Sequence, residues 1–437
     1  MSSSVPQRRT LSRLARFGIG AALAILVFLA FYLFQDNRPT AGPEAANPAP
    51  PAASTPAVPA AVVVPAATQE PVLAAEPTAP PTALPVEEPT AAQPAAKPTA
   101  APKRVLRTTI PAPSLAANLV GEKAERPIVV YLPPSYDTSA TRYPVIYYLP
   151  GYGDSGFIGF VPGADTDELN ANGTFPEVIF VVANGVSVMG GSFYANSPVT
   201  GNWEDFVAED LVAHVDGTYR TLADAASRGL AGHSMGGFGA LNIGMHRADV
   251  FGSVYSLSPG LFDAEGLANS QMFQSERTIQ SYLEVEQRLA GLAAEEAATH
   301  MKRQGSDLGF TLAYGAAFAP NPSRHPPYVD YPYSLVDGAL VRDETRWKQW
   351  ESGYGGIVEE LAEYGDNLRS LRALGLDYGT RDFYAWIPQG VAYMDAQLTA
   401  AGITHQTNVF DGGHQEQLGT RMREAMLPFF AQTLVTE

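Results

Sequence analysis

Gly232-His233-Ser234-Met235-Gly236 has the form G-x-S-x-G, and its neighbours make the pattern informative. Arg228-Gly229-Leu230-Ala231 precedes it as a short strand-like segment, and the small-residue run Gly236-Gly237-Phe238-Gly239-Ala240-Leu241 follows with helical character. Strand, sharp turn and helix are the setting of a nucleophile elbow. Such a turn leaves no room for bulky side chains beside the serine, and glycine at 232 and 236 meets that requirement. The reading predicts a Ser234 hydroxyl at the carboxyl edge of a sheet, beside a helix N-terminus.

Strand and helix signals alternate around this motif. Arg126–Leu132, Tyr143–Leu149, Val178–Ala183, Phe251–Leu257, Leu371–Tyr378 and Thr404–Phe410 read as strands, and Trp203–Tyr219 is apolar at helical spacing. Continuous apolar strands between helices imply a mostly parallel central sheet covered on both faces. The expected class is α/β, an α/β-hydrolase fold over residues 104–437. About 110 residues separate Leu257 from Leu371, far more than an ordinary connection. This stretch holds a Glu-rich helical pattern near 276–303 and an aromatic, Pro-rich segment through Phe318, Tyr328, Tyr331 and Tyr333, with Trp347 and Trp350 beyond. It reads as a cap insertion, 261–370, that helps build a substrate pocket above the sheet. Lateral packing of its own aromatics is the other reading.

Upstream, Arg8, Arg9, Arg13 and Arg16 precede an uncharged apolar run from Phe17 to Phe34. At a helical rise that run spans about 27 Å, near the thickness of bilayer hydrocarbon. Bulky Phe31-Tyr32-Leu33-Phe34 ends it where a cleavage site would need small residues. The expectation is a basic cytoplasmic tail (1–16), a transmembrane signal anchor (17–34) and an extracytoplasmic remainder. Residues 35–103, rich in Pro, Ala and Thr, read as a disordered linker reaching at most about 200 Å.

The chain has no cysteine, which excludes disulfides, thiolate metal sites and a Cys nucleophile. A net charge of −17 argues against nucleic acid as a partner. No metal or organic cofactor is expected, and oligomeric state is not legible.

A serine hydroxyl needs a base to take its proton, and histidine titrates in the right range. His414, in Phe410-Asp411-Gly412-Gly413-His414 after the last strand, is the best placed of seven histidines. His233, adjacent to Ser234, is expected to point away. His214, His246, His300 and His405 read as surface or packing residues, and His325 as a possible substrate contact in the cap. The base needs a carboxylate to hold its tautomer. Asp382, in Gly379-Thr380-Arg381-Asp382 after the penultimate strand, is preferred to Asp377, inside that strand, and to Asp411, only three residues before His414. The order Ser234, Asp382, His414 is that of α/β-hydrolases. An oxyanion needs backbone donors: the N–H of Met235, and the N–H of Tyr152 in the loop Leu149-Pro150-Gly151-Tyr152-Gly153-Asp154.

Several further pieces carry a resemblance: Tyr148-Leu149-Pro150-Gly151-Tyr152-Gly153, Gly191-Ser192-Phe193-Tyr194, Trp203-Glu204-Asp205-Phe206, Glu209-Asp210-Leu211, Gly232–Gly237 and Gly412-Gly413-His414. From Arg126 onward the chain resembles the putative-esterase family of α/β-hydrolases, which spans S-formylglutathione hydrolases, enterochelin esterases, feruloyl esterases and mycolyltransferases. Many members have His-Gly where this chain has Pro150-Gly151; the backbone donor survives that change. The resemblance implies a carboxylic ester hydrolase acting through an acyl-enzyme, on a small-molecule or glycan-linked acyl ester. Acyl transfer to an envelope carbohydrate or lipid, and a catalytically silent binding domain at the surface, are the alternatives.

Overall fold

The computed structural model describes residues 104–154, 164–302, 304 and 306–437. The tail, signal anchor and linker expected for 1–103 lie outside the described residues. Among those described, no helix is long and apolar enough to cross a membrane.

Eight strands form the main sheet: β1 (Val105–Pro111), β2 (Glu125–Tyr131), β3 (Val145–Leu149), β4 (Ile179–Ala183), β5 (Arg228–His233), β6 (Ser253–Leu257), β7 (Ala373–Gly379) and β8 (Gln406–Phe410). Their order is β1-β2-β4-β3-β5-β6-β7-β8. β1 and β2 pair antiparallel, as do β2 and β4, and every other neighbouring pair is parallel. This is an α/β-hydrolase-like architecture.

The expected strands all form, with ends shifted by a residue or two. β1 is the strand that sequence reading did not find. It is exposed at most positions, so it lacks the apolar run that marks the interior strands, and it is held by a seven-residue antiparallel register with β2.

Alternation across the interior strands makes two cores. Val145, Tyr147 and Leu149 of β3 and Ile179, Val181 and Ala183 of β4 face one layer. Ile146, Tyr148, Phe180 and Val182 face the other, closed by Met422, Met426, Leu427, Phe429 and Phe430 near the C-terminus. Burial on both faces is why these strands read as unbroken hydrophobic runs.

The predicted helix after β4 runs through Trp203–Asp205, a wider π-turn at Phe206–Leu211, and Val212–Thr218. The stretch between β6 and β7 contributes helices Glu276–Leu289, Ala294–Met301, Ser306–Phe318, Glu344–Tyr354 and Ile357–Ser370, plus a hairpin of Tyr333–Val336 with Ala339–Arg342. Its aromatics mostly pack on one another. Tyr282 stacks on Tyr331 with ring centres 3.6 Å apart, Trp350 is fully buried, and the Trp350 Nε1–H donates to the Asp330 carbonyl at 2.9 Å.

The chain passes from β3 to β4 on one side of β3, then returns to β5 on the other. That reversal opens a crevice at the carboxyl ends of β3 and β5, where open α/β sheets bind ligands.

Candidate active site

β5 ends at His233, and the helix Met235–His246 begins two residues later. Ser234 between them has φ 58° and ψ −117°, a left-handed conformation costly for a non-glycine residue. The surroundings hold it there. Ser234 N–H donates to the Leu257 carbonyl at 2.9 Å, and its own carbonyl accepts from Phe238 N–H at 3.0 Å and Gly260 N–H at 3.2 Å. A Cβ at Gly232 would sit 2.1 Å from the Gly236 carbonyl oxygen, and one at Gly236 would sit 1.8 Å from that of Leu149. Both obstacles are main chain, so neither can swing aside.

The loops after β7 and β8 are stitched together. Thr380 N–H donates to the Phe410 carbonyl and Arg381 N–H to that of Gly412, each at 2.9 Å. A Cβ at Gly379 would lie 2.3 Å from the Gly412 oxygen. This close approach sets His414 against Asp382: His414 Nδ1 donates to Asp382 Oδ2 at 2.6 Å, with both side chains buried. The other carboxylate oxygen accepts from Tyr384 N–H at 2.9 Å.

Ser234, His414, Gly151 and Tyr152 line one cavity of about 380 Å³. Among the described residues no hydrogen bond joins Ser234 Oγ to His414, and neither the Tyr152 N–H nor the Met235 N–H has an acceptor. Hydrogen bonds of this kind are often long before substrate binds.

The rival acids sit elsewhere. Asp377 is buried against Arg421, and Asp411 is exposed on Arg381 at 2.6 Å. His246 bridges Glu204 at 2.9 Å and Glu360 at 3.1 Å. His405 contacts Asp395 at 3.0 Å. His325 is not among the cavity's lining residues; its Nδ1–H donates to the Pro326 carbonyl at 2.8 Å.

The expectation for His233 is overturned. Strand alternation sends residue 233 away from residue 234, but the positive φ of Ser234 breaks that alternation, and both residues line the cavity. The His233 ring lies 4.7 Å from that of His414, and its Nε2–H donates to the His414 carbonyl at 3.0 Å. Burial, then the neighbouring His414 and Arg421, hold it neutral, well below the usual histidine range.

Other lining residues escaped sequence reading. Phe383 and Tyr384 follow Asp382 directly, with ring centres 5.6 Å and 5.5 Å from that of His414; their position beside the acid was the available signal. Gln271, Asp307, Phe310 and Tyr354 come from the long insertion and carried none. Among the described residues no group of three or more His, Asp or Glu side chains is arranged to hold a metal ion.

Residues 122–311 match the family described as Esterase: Putative esterase. Over these residues the chain is similar to that family. It is 32% identical over 290 residues to an esterase of Mycobacterium tuberculosis, covering 65% of this chain and 51% of that protein. It is 33% identical over 144 residues to the S-formylglutathione hydrolase of Arabidopsis thaliana, covering 30% of this chain and 50% of the other. The chain thus spans about half the length of these curated relatives. Among solved structures, a ferulic acid esterase superposes with a TM-score of 0.46 at 21% identity, over 76% of this chain and 98% of that one.

Proposed function

We propose that this protein is a serine hydrolase that cleaves carboxylic esters through an acyl-enzyme. Ser234 Oγ attacks the acyl carbon while His414 Nε2 accepts its proton. Asp382 holds the imidazole in the tautomer with Nδ1 protonated and stabilises the imidazolium that forms. The Met235 and Tyr152 N–H groups, free of acceptors among the described residues, receive the developing oxyanion. His414 then protonates the leaving alcohol, and a water activated by the same histidine releases the acid. The observation that carries this reading is the Asp382-held His414 sharing one cavity with a serine in a strained elbow.

The insertion serves as a cap: Gln271, Asp307, Phe310 and Tyr354 supply part of the lining. Residues 17–34 anchor the chain in a membrane, and 35–103 tether the hydrolase on the outer side.

Turnover of p-nitrophenyl acetate by the full chain tests the proposal. The expected result is hydrolysis that Ser234→Ala abolishes while the fold is retained. Equal turnover by wild type and variant refutes it. Turnover that rises with added sugar or lipid alcohols, yielding new esters, would instead favour acyl transfer.

A further inference from the structure

Two consecutive aromatic residues, Phe193 and Tyr194, hold left-handed backbone conformations, with φ 55° and 52°. Both side chains are fully buried. That conformation is costly for residues with a Cβ, and it persists where the surroundings impose it, often beside functional sites. The two rings go to different places. Phe193 joins the aromatic cluster of the insertion, its centre 5.2 Å from that of Phe310 and 5.4 Å from that of Tyr314. Tyr194 packs on the helix that follows Ser234, where a Cβ at Gly239 would lie 2.6 Å from its ring. Its hydroxyl donates to the Pro150 carbonyl at 3.1 Å. Burial pushes that hydroxyl's pKa well up, so it stays protonated and able to donate.

The segment that ends in these residues, Ser187–Tyr194, touches both proposed oxyanion donors. The Tyr152 hydroxyl donates to the Met189 carbonyl at 2.8 Å, and Gly153 N–H donates to the Gly190 carbonyl at 3.0 Å. Asp154 N–H donates to the Gly151 carbonyl at 3.2 Å, and that carbonyl shares a planar peptide unit with the Tyr152 N–H. The direction of this N–H is therefore fixed. Met235 rests on the same segment, because Phe193 N–H donates to its Sδ at 3.4 Å. A Cβ at Gly191 would lie 2.4 Å from the Tyr152 ring and 2.7 Å from Met235 Sδ, so glycine lets both side chains close on one point. Ser187 braces that point: its hydroxyl donates to the Gly191 carbonyl at 2.6 Å and accepts from Met189 N–H at 3.1 Å.

Resting on the ester-hydrolase reading, we infer that Ser187–Tyr194 positions the oxyanion hole, with Tyr194 as its main tether through the Pro150 carbonyl. Tyr194 is a positioning residue: fully buried, it acts through the loop and does not touch substrate. Donors already aimed at a developing oxyanion stabilise the tetrahedral state without reorganising. A misplacement of about 1 Å can cost roughly 100-fold in rate.

Inhibition by benzyl trifluoromethyl ketone reads the hole directly. Ser234 Oγ adds to its carbonyl carbon, the hydroxyl proton passes to His414, and the carbonyl oxygen becomes an oxyanion facing the Met235 and Tyr152 N–H groups. In the full chain, Tyr194→Phe should raise Ki for this ketone and lower kcat/KM for p-nitrophenyl acetate by a common factor of about tenfold. A merely structural role would lower the melting temperature or the fraction of active protein and leave Ki unchanged. Tyr152→Phe cuts the other hydroxyl tether and should raise Ki about threefold or more; it decides the matter if Tyr194→Phe does not fold. Wild-type Ki and kcat/KM in the folded variants overturn the inference and leave the hydrolase reading intact. A wild-type chain that neither hydrolyses the ester nor binds the ketone refutes that reading and this inference together.

Discussion

Removing Arg421 should unfold this domain more readily than any loss of contact area suggests. Arg421 is 6% exposed and Asp377 1%. Its guanidinium meets both carboxylate oxygens of Asp377, with Nε at 3.2 Å from Oδ2. It also donates to Ser258 Oγ at 3.0 Å and to the His414 carbonyl at 3.4 Å, and lies 4.3 Å from the centre of the Phe410 ring. Met in its place fills the volume but leaves Asp377 buried with Ser258 N–H as its one remaining donor among the described residues. Breaking a buried pair from one side costs about 3–5 kcal/mol, a large share of the roughly 5–15 kcal/mol that holds a domain folded. Replacing both partners, Arg421→Met/Asp377→Leu, removes the stranded charge. The Ser258 N–H stays satisfied because it also donates to the Asp377 main-chain carbonyl at 2.9 Å. The double variant should therefore recover about 2 kcal/mol or more of the summed single losses.

Urea unfolding of the two single variants and the double gives this cycle. A pH series adds an independent check. Burial already pushes the Asp377 carboxyl up, against the pull of Arg421. Without Arg421 the folded state binds that proton more tightly still, so the loss in Arg421→Met should be smaller at pH 5 than at pH 8. Activity should fall less than about tenfold, because the closer donor to the His414 carbonyl, His233 Nε2, remains. A single-variant loss below about 1 kcal/mol, or strict additivity in the double, would refute the reasoning.

Three further outcomes are expected. Gly236→Ala should abolish esterase activity and lower the melting temperature, since its methyl would meet the Leu149 carbonyl at 1.8 Å; an active, equally stable variant would contradict the packing seen here. Asp382→Asn should lower kcat by about 10³–10⁴-fold while far-ultraviolet circular dichroism stays unchanged, through loss of the correct His414 tautomer. Burial disfavours the charged form of His246, but its bonds to Glu204 and Glu360 outweigh this and raise its pKa to about 9. The folded-state value lies above the unfolded one, so this stabilisation is complete below about pH 6.5 and disappears as pH rises through about 9. His246→Gln should flatten the fall in melting temperature over that window.

How much could be read in advance depended on how locally each feature is determined. Tyr143–Leu149 and Val178–Ala183 announced themselves because both faces of those strands are buried. Ser234 was legible because an elbow tolerates only glycine at 232 and 236. His414 and Asp382 were legible because each follows a recognisable strand at one sheet edge. β1 was not, because its exposed residues owe their strand conformation to register with β2. His233 was misread because a single positive φ at its neighbour cancels strand alternation. The aromatics of the insertion resisted assignment for another reason: Tyr331 and Trp350 pack inside it while Phe310 and Tyr354 reach the cavity, and sequence spacing does not separate those fates. Arg421 and Asp377, 44 positions apart, gave no local sign of partnership.

The proposed activity depends on the reactivity of one hydroxyl, and covalent labelling reads that directly. The full chain, treated with diisopropyl fluorophosphate and mapped by peptide mass spectrometry, should carry a single phosphoryl adduct on Ser234, formed far more slowly in His414→Ala. An unlabelled Ser234, an adduct on another residue instead, or equal labelling rates with and without the imidazole would contradict it.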